Sequence, residues 1–173
     1  MPPIFTAFLL YSAKTIQDFN RFHQTRVTRV KPITTVCGGA MLVCALVMAW
    51  LGKAGSMALC ALLGLFFLLE VPLLSRLSIK RLLKTDPGLE GRRQDYEFFD
   101  GEFGYAAASG PLEPGKLSYD KIYRVYEDAD HFYLYLNKAT AFIVPKANLT
   151  GGSAEDFAAF LRHRVAGRYI VKT

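Results

Sequence analysis

Catalytic equipment is scarce in this sequence. Its three histidines, His23, His131 and His163, fall in separate stretches, and no metal-ligand pattern accompanies them. There is no Gly-x-Ser-x-Gly, no His-Glu-x-x-His and no glycine loop suited to cradling phosphate. Gly101 to Gly104 reads as a hairpin turn, because strand-forming residues follow it instead of a helix. The only cysteines are Cys37, Cys44 and Cys60, all inside apolar runs. An odd number so placed gives neither a disulfide framework nor a zinc spacing. Such cysteines behave as small hydrophobes. Met1-Pro-Pro lacks the basic region and early apolar core of a cleaved signal peptide. These absences point away from an enzyme, and the sequence calls for no cofactor and no metal.

Charge is short where it would favour nucleic acid. The chain carries net +6, but the excess is local. Residues 1–32 hold five Lys/Arg and one acid, net +4, and residues 33–94 hold seven and three, again net +4. Residues 95–173 hold nine Lys/Arg against eleven acids, net −2. A basic surface that binds nucleic acid is concentrated on the folded domain, so nucleic acid is excluded as a partner.

Apolar length is what the chain has in quantity. From Pro32 to Ser75 two runs of about 20 residues, the length needed to cross roughly 30 Å of hydrocarbon, flank the turn Gly52-Lys53-Ala54-Gly55. The spans are placed at 32–51 and 56–75 as a helical hairpin, since lipid requires every backbone polar group to be satisfied within the segment. The first span is expected to act as the internal insertion signal. Buried helices of a soluble protein are the alternative, but the remaining chain is too small to cover two helices this apolar. Arg21, Arg26, Arg29 and Lys31 precede the hairpin, and Arg76, Lys80, Arg81 and Lys84 follow it. By the positive-inside rule both termini are expected in the cytoplasm of a bacterial inner-membrane protein.

Arg76, Lys80, Arg81 and Lys84 alternate with Leu77, Ile79, Leu82 and Leu83, so the second helix is expected to continue along the interface. These four cations either only set topology or also contact lipid headgroups, and membrane lipids are the expected partners. Gly38, Ala45 and Ala49 fall on one face of the first span, and Ala61 and Gly64 lie close together on the second. Small residues let helix backbones approach, either within the hairpin or in a homodimer. Glu70 is the only acid inside an apolar run. Intramembrane carboxylates often mark ion or proton paths; a shallow one near cations is more often a paired, snorkelling residue.

The rest reads as an α+β domain. Ile4 to Ser12 is a strand, Thr15 an N-cap, and Ile16, Phe19 and His23 share a helical face. This segment, residues 1–31, is expected to join the cytoplasmic domain. A basic linker covers residues 76–94, broken by Asp86-Pro87-Gly88. Over residues 95–173, Tyr96–Phe99 and Glu102–Ala108 form a hairpin about Asp100-Gly101, a favoured turn pair. A loop at 110–115, strands at 116–119, 123–127, 131–136 and 140–144, and a helix capped by Ser153 follow. The economical fold is a curved antiparallel sheet with the C-terminal helix across its open side. Glu127, Asp128 and Asp130 read as a solvated turn, since a calcium loop needs a longer ligand series. His131 to Leu136 alternates Phe132 and Leu134 against Tyr133 and Tyr135. It is read as a half-buried strand whose tyrosines either form a recognition surface or pack across strands.

The stretches Tyr96-Glu-Phe-Phe-Asp-Gly101, Ser118-Tyr-Asp-Lys-Ile122, Val125-Tyr-Glu127, Phe132-Tyr-Leu-Tyr-Leu-Asn-Lys138, Ala141-Phe-Ile-Val-Pro-Lys146 and Glu155-Asp-Phe157 resemble, in order and spacing, the YcxB-like family of small bacterial membrane proteins. The resemblance implies two spans and a cytoplasmic domain similar to a pleckstrin-homology fold. It implies no activity and no catalytic residues. The expected function is a membrane-anchored binding or adaptor module whose ligand is a lipid or a peptide, with a protein partner not named by the sequence. The alternative is a subunit of a small transporter or membrane enzyme complex that uses Glu70.

Overall fold

The computed structural model describes residues 2–107 and 114–171. The chain divides into two compact units, residues 13–87 and residues 1–12 with 88–173. The first unit is thus inserted into the second.

In the inserted unit, α1 (Ala13–Phe22) passes through a five-residue π-helical turn (His23–Val27) into α2 (Val30–Trp50). A tight turn at Leu51–Lys53, with Gly52 at φ +70°, leads back along α3 (Ala54–Thr85). Both long helices, of 21 and 32 residues, are long and apolar enough to cross a membrane. Only 11% of the apolar stretch of each is buried within the protein. A core helix of a soluble domain would be mostly covered, so these apolar surfaces are left to another environment.

The helices meet at small residues. A Cβ on Gly38 would lie 2.9 Å from the Gly64 carbonyl oxygen and 2.8 Å from Leu68 Cγ. One on Gly64 would lie 3.0 Å from the Gly38 carbonyl oxygen. The hairpin's close approach therefore uses the small-residue faces within one chain; Ala49 stays exposed. The second helix continues to Thr85, so the expected linker is helical over its first ten positions. Thr15 is not an N-cap: α1 already begins at Ala13, which places Thr15 in its first turn. The expected N-terminal segment is also divided. Its strand belongs with the sheets, whereas α1 belongs with the long helices.

The other unit contains two sheets, not one curved sheet. The strands are β1 (Phe5–Leu10), β2 (Arg93–Phe98), β3 (Glu102–Ala107), β4 (Gly115–Ser118), β5 (Arg124–Glu127), β6 (His131–Tyr135), β7 (Ala141–Pro145), β8 (Leu149–Thr150) and β9 (Tyr169–Val171). The helix α4 (Ala154–Val165) precedes β9. One sheet has the order β4-β3-β2-β1-β8 and the other β7-β6-β5-β9. All pairs are antiparallel except β5 with β9. Neither β8 nor β9 is anticipated from the sequence. The hairpin at Asp100-Gly101 forms, closed by Phe99 N–H donating to the Glu102 carbonyl at 2.9 Å. Ala108 and most of the expected loop at 110–115 lie outside the described residues.

Period-two alternation puts Phe5, Ala7 and Leu9 of β1 inside, opposite Phe98, Tyr96 and Gln94 of β2. Aromatic rings fill the space between the sheets. Phe142 of β7 lies 5.5 Å from Phe103 and 4.9 Å from Tyr105 of β3, ring centre to ring centre. Phe157 of α4 is fully buried and meets Phe5 at 5.2 Å, Phe98 at 4.7 Å and Phe132 at 5.1 Å. It thereby joins both sheets and the helix in one core. Ser153 and Asp156 form a reciprocal capping box that fixes where α4 starts. Before it, Gly151 sits at φ +98°, where a Cβ would collide with the Ile4 carbonyl oxygen. Only glycine lets the chain cross β1 so closely.

Candidate functional site

Within the inserted unit, residues from α1 and the start of α2 converge with a distant stretch of α3. From α1 come Gln17, Asp18 and Arg21, with Gln24 one turn further on; the spacing of four and three puts Gln17, Arg21 and Gln24 on one helical face. Lys31 comes from the first turn of α2. From α3 come Val71, Pro72, Ser75, Arg76 and Ile79, again one face by spacing. Together they wall a cavity of about 340 Å³. Val71 and Ile79 are buried and form its apolar side.

The polar side is rich in unspent charge. Arg21, Lys31 and Arg76 are exposed, and Asp18 is half-buried. No side-chain hydrogen bond or ion pair engages any of these four charges among the described residues. Two guanidinium groups and an ammonium facing one cavity provide planar, multi-donor recognition of an oxyanion. Arg29, at φ +56°, turns the chain between the π-helical turn and α2. A non-glycine residue there costs roughly 1–2 kcal/mol. Strain of this kind concentrates where the surrounding structure imposes a geometry, here two residues before Lys31.

Of the four cations expected to contact headgroups, Arg76 lines this cavity, while Lys80, Arg81 and Lys84 are exposed further along α3. Arg21 and Lys31, read from sequence only as topology signals, are the additional members. The polar helical face of Gln17, Arg21 and Gln24 is a sequence signal for Arg21 alone; no such face marks Lys31. Glu70 is half-buried on α3 and outside the cavity, and no ion pair or hydrogen bond reaches it among the described residues. Thr34 and Thr35, at the start of α2, donate to carbonyls of residues 30 and 31 in their own helix.

The tyrosines are not a recognition surface. Tyr133 is 1% exposed and Tyr135 0%, and Phe132 and Leu134 on the opposite face are equally covered. The strand is buried on both sides, so alternation did not mark an exposed face. Burial pushes the Tyr135 hydroxyl well above its usual range. Tyr133 donates at 2.9 Å to Asp128 Oδ2, whose Oδ1 accepts from the backbone N–H of Asp130 and His131. The acidic turn is thus a self-contained hydrogen-bonded turn.

Glu127 of β5 plays a different part. It accepts from Lys146 Nζ at 2.8 Å and from the Tyr169 hydroxyl at 2.5 Å, with Arg162 at 3.6 Å. Burial draws its pKa up, but the Lys146 and Tyr169 hydrogen bonds and the charges of Lys146 and Arg162 prevail and hold it below the usual glutamate value. One carboxylate therefore ties β5 to the segment after β7, to α4 and to β9. Arg168 adds to this closure by donating to the carbonyls of Asp120 and Ile122.

Fold and cavity define a class: an α+β domain interrupted by a pair of helices long and apolar enough to span a membrane. The family model for YcxB-like protein matches residues 101–161, from the β2–β3 turn into α4. That match agrees with the resemblance read in the strand motifs from residue 101 onward, and this segment of the chain is similar to that family. No curated protein and no solved structure matches the chain.

Proposed function

We infer that the protein is a membrane-anchored binding module that takes a lipid headgroup at the base of its helical hairpin. The observation that carries this reading is the cavity in which Arg21, Lys31 and Arg76 converge without internal partners. The cavity adjoins the end of α3 at which the apolar run gives way to basic residues, the depth at which headgroups lie. The two-sheet unit, with α4 packed into its core, serves as the cytoplasmic, pleckstrin-homology-like module that presents bound lipid, or a peptide, to a protein partner. The charge asymmetry supports an inner-membrane location with both termini cytoplasmic. A homodimer would have to use hairpin faces other than the Gly38–Gly64 contact.

Two experiments test this. Reporter fusions at the C-terminus and at Gly55 should report opposite compartments; the same compartment for both ends the hairpin topology. Purified full-length protein should retain phospholipid through mild detergent, and Arg76→Gln should reduce retention several-fold. Protein that carries no phospholipid, or an Arg76→Gln variant that carries as much as the parent, overturns the headgroup reading.

A further inference from the structure

The cavity holds more than cations. Asp18 lines it beside Arg21, Lys31 and Arg76, and its carboxylate has no ion pair among the described residues. In a site for a simple anion an unpaired carboxylate weakens binding by like-charge repulsion. Sequence spacing would allow Asp18 to pair with Arg21 one turn on, yet the structure leaves the two apart. A ligand that carries both signs of charge satisfies every group present.

We propose that the cavity binds a phosphoethanolamine group, with its phosphate on Arg21, Lys31 and Arg76 and its ammonium on Asp18. The proposal rests on the headgroup reading above and specifies its ligand class. A primary ammonium donates three hydrogen bonds, so Asp18 and the amide oxygens of Gln17 and Gln24 can all accept from it. A quaternary choline ammonium has no N–H to donate, and a glycerol headgroup leaves the carboxylate facing only neutral hydroxyls. Selectivity follows from groups left unpaired by the wrong ligand. The wall of Val71 and Ile79 gives the diacyl end of a lipid an apolar neighbour.

The test uses the full chain in detergent, titrated with phosphatidylethanolamine, phosphatidylglycerol and phosphatidylcholine of identical acyl chains. Native mass spectrometry counts the bound lipid. Phosphatidylethanolamine should be retained about tenfold more tightly than the other two, a preference worth one good polar contact. Asp18→Asn should abolish that preference and strengthen phosphatidylglycerol binding, because the like charge is gone, and Asp18→Glu should keep the preference in part. Equal retention of all three lipids, or a preference that survives Asp18→Asn, overturns the phosphoethanolamine assignment and leaves the headgroup reading standing. Loss of all lipid retention in the parent protein overturns both. Excess free phosphoethanolamine separates the sources of the same group: displacement of lipid shows that the headgroup alone suffices, and retention shows that the diacyl portion is required.

Discussion

Glu127 contributes stability only while it is ionised. Its folded-state pKa is depressed, so its contribution is complete above the unfolded-state value, near the ordinary 4.5, and is lost as pH falls through the lower folded-state value. Thermal unfolding of the wild type should therefore weaken below about pH 4.5 in part through this residue. Glu127→Gln should lower stability at pH 7 by about 1–3 kcal/mol and flatten the acid limb of the curve. A variant with the parent's acid sensitivity would show that the carboxylate is not the titrating group. At the same scale, Gly38 is decided by space. A Cβ there meets Leu68 and the Gly64 backbone, whereas a Cβ on the next residue, Gly39, meets nothing within 4 Å. Gly38→Val should destabilise the hairpin by about 1–3 kcal/mol in a sodium dodecyl sulfate titration, and Gly39→Val should be close to neutral. Equal effects would mean that helix propensity, not packing, governs the pair. Composition alone does not separate these adjacent glycines; only the partner helix does.

Among the elements, β1 and α4 carry the sandwich. β1 lies between β2 and β8 inside the five-stranded sheet, not at its edge. Removing residues 2–12 would expose the β2 ladder and the rings that Phe5 covers, so the two-sheet unit should lose protease resistance altogether. Protection equal to the parent's would mean that β2 can serve as an edge. Phe157 touches three strands through three rings, and Phe157→Ala should cost about 3–5 kcal/mol, read as a lower urea midpoint. Much of this level was legible in sequence. Period-two runs and turn pairs gave β1 to β7, and the Ser153–Asp156 pair gave the start of α4. The two- and three-residue strands β8 and β9 were not legible, because so short a run carries no period. Each pairs with a strand more than forty residues away, and a long-range partner, not a local preference, makes it a strand.

For the whole molecule, the two crossings between units define the design. Tyr11 N–H donates to the Arg92 carbonyl at 2.9 Å, and Gly91 N–H to the Tyr11 carbonyl at 2.8 Å. The chain therefore leaves the sheet unit after β1 and re-enters it beside the point of departure. β1 and β2 are a hairpin pair whose connection is the entire helical unit. Replacing residues 13–87 by a short Gly-Asn-rich turn should yield a water-soluble, folded two-sheet protein, monomeric by gel filtration with a single cooperative melt. An aggregated or unfolded product would show that the helices are needed for the sheets to form. The sequence by itself determined the two long apolar helices, the basic charge beside them and the strand-rich character of the remainder. Each of these is a local property of length, composition or period. Only the tertiary structure decided that the strands divide into two sheets, and that Tyr133 and Tyr135 are covered on a face alternation had left open. It alone brought Asp18, Arg21, Lys31 and Arg76 to one cavity. Those outcomes depend on which distant segments pack together, and no residue's neighbours in sequence carry that information.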